Sequence, residues 1–189
     1  MSEKNNKQEN QTGGFVVELY EWLEAIAFAL SIVVILFTFL FRVVSVSGPS
    51  MNPTLTSGDR IVLNSILYTP QNGDIVVITQ PNSHDNEPLI KRVIAVEGQT
   101  ISIDADTDAV TVDGVKLTET YILDPDIQRA GESYEYPLTI PKGKVFVMGD
   151  NRNDSFDSRD PGLGLVEEKY IMGKAVFRIY PFERVGGLD

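Results

Sequence analysis

The chain has 189 residues, with 16 Lys and Arg against 27 Asp and Glu, a net charge of −11 and no cysteine. This acidity would repel a phosphate backbone and argues against nucleic-acid binding. Without cysteine there is no disulfide, thiol nucleophile or thiolate metal site. The length suits a membrane anchor followed by one compact domain.

Residues 1–14 are polar and charge-balanced, Lys4 and Lys7 against Glu3 and Glu9, and read as a disordered tail. The uncharged run 25–41 is rich in Leu, Ile, Val and Phe. As a helix it would be roughly 26 Å long, at the short end of what spans a bilayer. Glu18, Glu21 and Glu24 precede it beside Tyr20 and Trp22, in the manner of an interfacial aromatic belt. Residues 15–42 therefore read as a transmembrane anchor. A soluble core helix would not be apolar on every face. A cleaved signal peptide is the rival, because Ser45, Ser47 and Gly48 follow the run; its length exceeds the usual apolar stretch of such a signal. Two lysines before the run and Arg42 after it give little orientation by charge. Beyond Phe41 there are 14 cations and 22 carboxylates, so charge alone would not hold the domain to an anionic membrane.

Residues 47–55 read Ser-Gly-Pro-Ser-Met-Asn-Pro-Thr-Leu. Gly48 and Pro49 turn the backbone, and Pro53 keeps Ser50 out of a regular helix or central strand. Ser50 is thus presented on a bent, rigid segment with Met51 and Leu55 as apolar neighbours. By itself the segment is also what a membrane-exit linker would look like. Ser50 lies eight positions beyond Arg42, a reach of at most about 28 Å.

Residues 59–64 and 75–78 read as strands, the second entered through the turn Asn72-Gly73-Asp74. The polar loop 80–88 carries the only histidine, His84, which reads as solvated; without it no Ser-His-Asp triad can form. Residues 89–96 alternate as a strand, placing Lys91 on one face with Leu89, Val93 and Ala95. Burial among apolar groups, with Arg92 adjacent, should lower the pKa of Lys91 and allow it to act as a general base. The competing reading is an edge-strand lysine with a solvated head.

Residues 99–143 read as an inserted β subdomain, with strands at 100–104 and 109–113 and a hairpin turn at Asp113-Gly114. Its acidic residues Asp104, Asp106, Asp108, Asp124 and Asp126 lack calcium-loop spacing. A strand at 144–148 leads into Gly-Asp-Asn-Arg-Asn-Asp-Ser-Phe-Asp-Ser-Arg at 149–159, a density of hydroxyls, carboxylates and arginines suited to an ion-paired lattice around a reactive group. A polar surface loop has the same composition. Residues 173–180 form a last strand that closes the sheet before Pro181.

These three pieces, Ser50 in its Gly/Pro segment, Lys91 in Ile-Lys-Arg-Val-Ile-Ala-Val-Glu-Gly, and the 149–159 loop, follow one anchor in this order. From about residue 25 to 180 the chain resembles the type I signal peptidases, membrane-anchored Ser/Lys proteases, in their compact Gram-positive form. The resemblance implies a mainly β fold: a transmembrane helix, then an antiparallel β catalytic domain (43–98 and 144–182) with a small β insert; residues 183–189, beyond the resemblance, are expected as a C-terminal tail. It implies Ser50 as nucleophile and Lys91 as base, with Ser155 orienting Lys91, Asp157 and Arg159 as a supporting pair, and Asp150 holding Arg92. It further implies Met51 and Ile90 as walls of pockets for small substrate side chains, and the Ser50 N–H as one oxyanion donor. Some family members carry a second donor hydroxyl two residues before the nucleophile; here that position is Gly48. The implied substrates are signal peptides of exported preproteins cut after Ala-x-Ala. The implied location is the cell membrane, N-terminus cytoplasmic and catalytic domain outside, with no cofactor, metal or nucleic acid. A self-cleaving repressor protease would carry a DNA-binding domain in place of the anchor. A tethered, non-enzymatic β domain that binds a partner would not need Ser50 or Lys91.

Overall fold

The computed structural model describes residues 2–81, 87–104, 107, 109–122 and 134–188, and of residues 2–15 and 36–41 the backbone alone. The chain divides into a helical unit, 1–40, and a β unit, 41–189. Helix α1 (Ser2–Leu40) takes in residues 2–14, expected as a disordered tail. Glu, Lys and Gln there are good helix formers. Among the described residues, no helix is long and apolar enough to cross a membrane. Phe41 and Arg42, expected at the end of the anchor, instead begin a strand.

In chain order the β unit contains β1 (Phe41–Ser45), β2 (Arg60–Asn64), β3 (Ile75–Ile78) and β4 (Leu89–Ala95). The insert follows as β5 (Thr100–Ile103), β6 (Val110–Val112), β7 (Val115–Lys116) and β8 (Leu138–Thr139). The chain returns through β9 (Lys144–Met148), β10 (Val166–Glu167), β11 (Ile171–Tyr180) and β12 (Gly186–Gly187). The large antiparallel sheet has the order β1-β2-β11-β3-β4-β9-β10, with β12 on β11; the small sheet has the order β7-β6-β5-β8. The Asp113-Gly114 turn closes the β6–β7 hairpin, as expected.

Two expectations for the end of the chain are corrected. The long strand β11 does not close the sheet from an edge; it is inserted between β2 and β3. Residues 183–189 are not a loose tail either. Gly186 and Gly187 pair with Arg178 and Phe177, and Leu188 is buried in the same cluster as Met51 and Leu55. Burying a leucine is worth roughly 2 kcal/mol, enough to hold a short terminal strand.

Alternation along β4 holds over its first half. Leu89 and Val93 pack in one cluster and Ile90 in another. A bulge against β9 at Val93–Ala95 then turns both Ile94 and Ala95 onto a third cluster. That third cluster joins Ile101, Ile103, Val110 and Val112 of the insert to Phe146 and Met148 of β9. The insert is thus packed into the core of the domain that carries it.

Candidate active site

Ser50 lies in a run of turns after β1, and its position is set from both ends. On the entry side Val46 N–H donates to Asp59 O at 2.8 Å, and Gly58 N–H to Val46 O at 3.0 Å. Asn52 N–H donates to Pro49 O at 2.9 Å and Leu55 N–H to Met51 O at 2.8 Å. Met51 and Leu55 are buried and pin the segment to the core. Gly48 has φ +81°, a conformation that favours glycine, and a side chain there would meet open space.

Lys91, in the middle of β4, is 2% exposed. Its Nζ is 2.7 Å from Ser50 Oγ and hydrogen-bonded to it. Burial pulls the Lys91 pKa down from 10.5 to about 8; Arg159 adds to the fall, while Asp157, Asp150 and Asp154 oppose it. The pair opens onto a cleft of about 240 Å³ whose walls include Val44, Ser47, Leu89 and Ile90. Ile90 lines this cleft. Met51 is not among the lining residues and sits in the core cluster behind.

The 149–159 loop forms the floor. Asn151 N–H donates to Ser50 O at 3.0 Å, and Asn151 Nδ2 to Pro49 O at 3.3 Å. Gly149 fills the space between Ser50 and Ser155; a Cβ there would overlap the Ser50 carbonyl and the Ser155 hydroxyl. Only glycine allows that approach. Arg92 makes a bidentate pair with Asp150 at 2.9 and 2.8 Å, both residues buried. Asp150 also accepts from Thr54 Oγ1 at 2.5 Å, tying the floor to the serine segment.

Asp157 makes a second bidentate pair, with Arg159, at 2.9 and 2.8 Å. Burial alone would push the Asp157 carboxyl up. The Arg159 guanidinium, the Gly149 N–H and the Ser155 hydroxyl outweigh it and hold the carboxyl below its usual range. Ser155 is thus brought beside Gly149 and Asp157. His84 and the acidic residues 106, 108, 124 and 126 lie outside the described residues.

Three partners escaped the sequence reading. Arg152 pairs with Glu119 of the insert, Thr54 joins Asp150, and Asp59 holds Arg178 and Arg184. One signal existed for the first: three arginines, at 92, 152 and 159, were matched with only two carboxylates. A buried third arginine requires a third acid.

A serine hydroxyl facing a buried amine at an open cleft is an arrangement that a serine hydrolase can use. The model of the family described as signal peptidase, peptidase S26, matches residues 19–180. The chain is 36% identical to signal peptidase I T of Bacillus subtilis, covering 98% of each chain. It is 36% identical to signal peptidase IB of Staphylococcus aureus, over 87% of this chain and 91% of that one. A crystal structure of a signal peptidase I from Enterococcus faecalis aligns with TM-score 0.46 at 30% identity, over 57% of this chain and 97% of that one. The chain belongs to the signal peptidase family, peptidase S26, and is a serine endopeptidase that processes signal peptides.

Proposed function

We propose that cleavage proceeds through a Ser50–Lys91 dyad in an enzyme held at the cell membrane. The observation that carries this reading is the 2.7 Å contact between Ser50 Oγ and a lysine 2% exposed. With Lys91 as the neutral amine, the Ser50 hydroxyl donates to Nζ. As Oγ attacks the scissile carbonyl its proton passes to Lys91, and the ammonium so formed protonates the departing amine. Water then attacks the acyl carbonyl and gives a proton to Lys91 Nζ, which passes it to Ser50 Oγ as the ester C–O bond breaks, releasing the acid and restoring the enzyme. The Ser50 N–H stabilises the oxyanion. Gly48 offers no hydroxyl for that purpose.

Ser155, Asp157 and Arg159 orient Lys91, and Asp150 with Arg92 holds the strand and the serine segment together. The cleft near Ile90 accepts small side chains, in keeping with Ala-x-Ala sites in signal peptides of exported preproteins. Met51 supports that wall from the core. The apolar stretch of α1 anchors the enzyme in the bilayer, the N-terminus cytoplasmic and the β domain outside. In right-side-out vesicles an added protease should then digest the β domain; protection of that domain would reverse the orientation.

The decisive assay is cleavage of an Ala-x-Ala precursor in detergent by wild type, Ser50→Ala and Lys91→Ala across pH. Both folded variants should lose cleavage, and the wild-type rate should rise through about pH 8 as Lys91 deprotonates. Normal cleavage by Lys91→Ala would sink the dyad.

A further inference from the structure

Behind the Ser50–Lys91 pair lie three buried arginines, and the partner of Arg152 comes from outside the 149–159 loop. Arg152 Nη1 donates to Glu119 Oε2 at 3.0 Å, and Nη2 donates to Oε1 to complete a bidentate pair. The Tyr121 hydroxyl donates to Glu119 Oε1 at 2.9 Å. Its ring covers the Arg92 guanidinium, 4.0 Å from the ring centroid. Two residues of the insert therefore grip two of the three arginines.

Both arginines connect directly to the site. Arg152 Nε donates to Gly149 O at 3.0 Å, and Arg152 O accepts from Arg159 Nη2 at 2.8 Å. Gly149 is wedged between Ser50 and Ser155, and the neighbouring Asn151 N–H holds Ser50 O. Arg92 adjoins Lys91 on β4, and its guanidinium is held by contacts that include Asp150 on one edge, the Gly73 carbonyl at 2.7 Å, and Tyr121 on its face. Shifting Glu119 or Tyr121 would move the peptides that aim Ser50 and the strand that aims Lys91.

We infer that Glu119 and Tyr121 are positioning residues for the Ser50–Lys91 dyad, so that residues 119–121 of the insert form a strap setting the geometry and charge of the active site. The inference rests on the dyad reading above. Among the described residues, the charged groups around Lys91 are Arg92 on its own strand, Glu87 across the cleft they both line, Asp150, Arg152, Asp154, Asp157 and Arg159 from the loop, and Glu119 behind Arg152. Replacing Glu119 by glutamine leaves the Arg152 cation unbalanced. The site becomes more positive, the ammonium form of Lys91 is disfavoured, and the rising limb of the pH–rate profile moves to lower pH.

The test uses the full chain in detergent on an Ala-x-Ala precursor, with Glu119→Gln, Glu119→Asp, Tyr121→Phe, Tyr121→Leu and Lys91→Ala, folding being monitored by thermal unfolding. Glu119→Gln should lower kcat on the order of tenfold to a hundredfold at near-normal KM, the scale of a small misplacement of reacting groups. Its limb should move to lower pH, and Glu119→Asp should return the limb toward wild type. Tyr121→Leu should lower kcat without moving the limb, and Tyr121→Phe should do so to a smaller extent. If Glu119→Gln and Tyr121→Leu melt earlier yet keep wild-type kcat and limb, the strap merely stabilises the fold and the inference is overturned. Should Glu119→Gln fail to fold, Tyr121→Phe decides, and an unchanged kcat there overturns the inference. An active Lys91→Ala would instead overturn the dyad, and the strap with it.

Discussion

Two ionic clusters hold the Ser50 segment, and they differ in their access to water. Behind it, Arg92–Asp150 and Arg159–Asp157 are closed bidentate pairs from which solvent is almost excluded. In front, Asp59 is itself buried, but its partners Arg178 and Arg184, at 3.2 and 2.6 Å, are 16% and 39% exposed. Both clusters reach the same residue: Asp150 accepts from the Thr54 hydroxyl, and Arg178 Nη1 donates to the Thr54 carbonyl at 2.8 Å. The difference teaches that the presence of ion pairs alone does not set their role. In the dry cluster a missing partner strands a charge, whereas water and salt substitute for a partner at the wet one. Only the dry cluster stands beside an amine whose pKa has fallen to about 8.

The largest effect should come from breaking the dry cluster. Asp150→Ala strands Arg92 and releases Thr54, at an expected cost of about 3–5 kcal/mol in urea unfolding. A loss below about 1 kcal/mol would erase the contrast between the clusters. Next comes Lys91, whose charge is disfavoured by burial. Its folded pKa, about 8, lies below the ordinary 10.5, so between these values the unfolded chain binds more protons and wild-type stability rises with pH. Lys91→Met should therefore be more stable than wild type at pH 7 by up to about 3 kcal/mol. That advantage should shrink as pH rises from about 8 to 10.5, and a pH-independent difference in unfolding free energy would contradict it.

Asp59→Asn should cost less, about 1–3 kcal/mol, since it weakens hydrogen bonds to two partly hydrated arginines. The smallest effect belongs to Arg184→Ala, at most about 1 kcal/mol after allowance for solvent screening and fading in molar salt. A salt-independent loss there, measured by denaturant titration, would show that the front cluster behaves like the dry one.

Much of the site was legible because its parts are local. Pro53 bars regular structure at Ser50, and the segment is a run of turns. Apolar alternation around Lys91 left a buried base and an edge-strand lysine with a solvated head both open, and the residue is 2% exposed. The pairs Asp157–Arg159 and Asp150–Arg92, the second 58 residues apart, came from the resemblance and not from local pattern, and the structure contains both. The misses have a common cause. Glu119 lies 33 residues from Arg152, and nothing in its neighbours distinguishes it from a solvated acid. Met51 was implied as a pocket wall by the resemblance alone; side-chain direction in a run of turns has no simple period, and Met51 packs in the core cluster. The end of the chain read as a tail because two glycines and one leucine carry no strand signal; β11 offers the edge that Gly186 and Gly187 occupy.

By itself, then, the sequence determined the residue types and their local settings: a serine between prolines, a lysine among β-branched neighbours, and a loop dense in opposite charges. These follow from backbone sterics and period-2 burial, which act over a few residues. Only the tertiary structure decided that the serine and the lysine, 41 residues apart, meet at 2.7 Å. It alone decided that the third arginine is answered by the insert and that β11 threads the middle of the sheet. Those outcomes depend on which charges and apolar faces are buried together, and burial is a property of the whole packed chain.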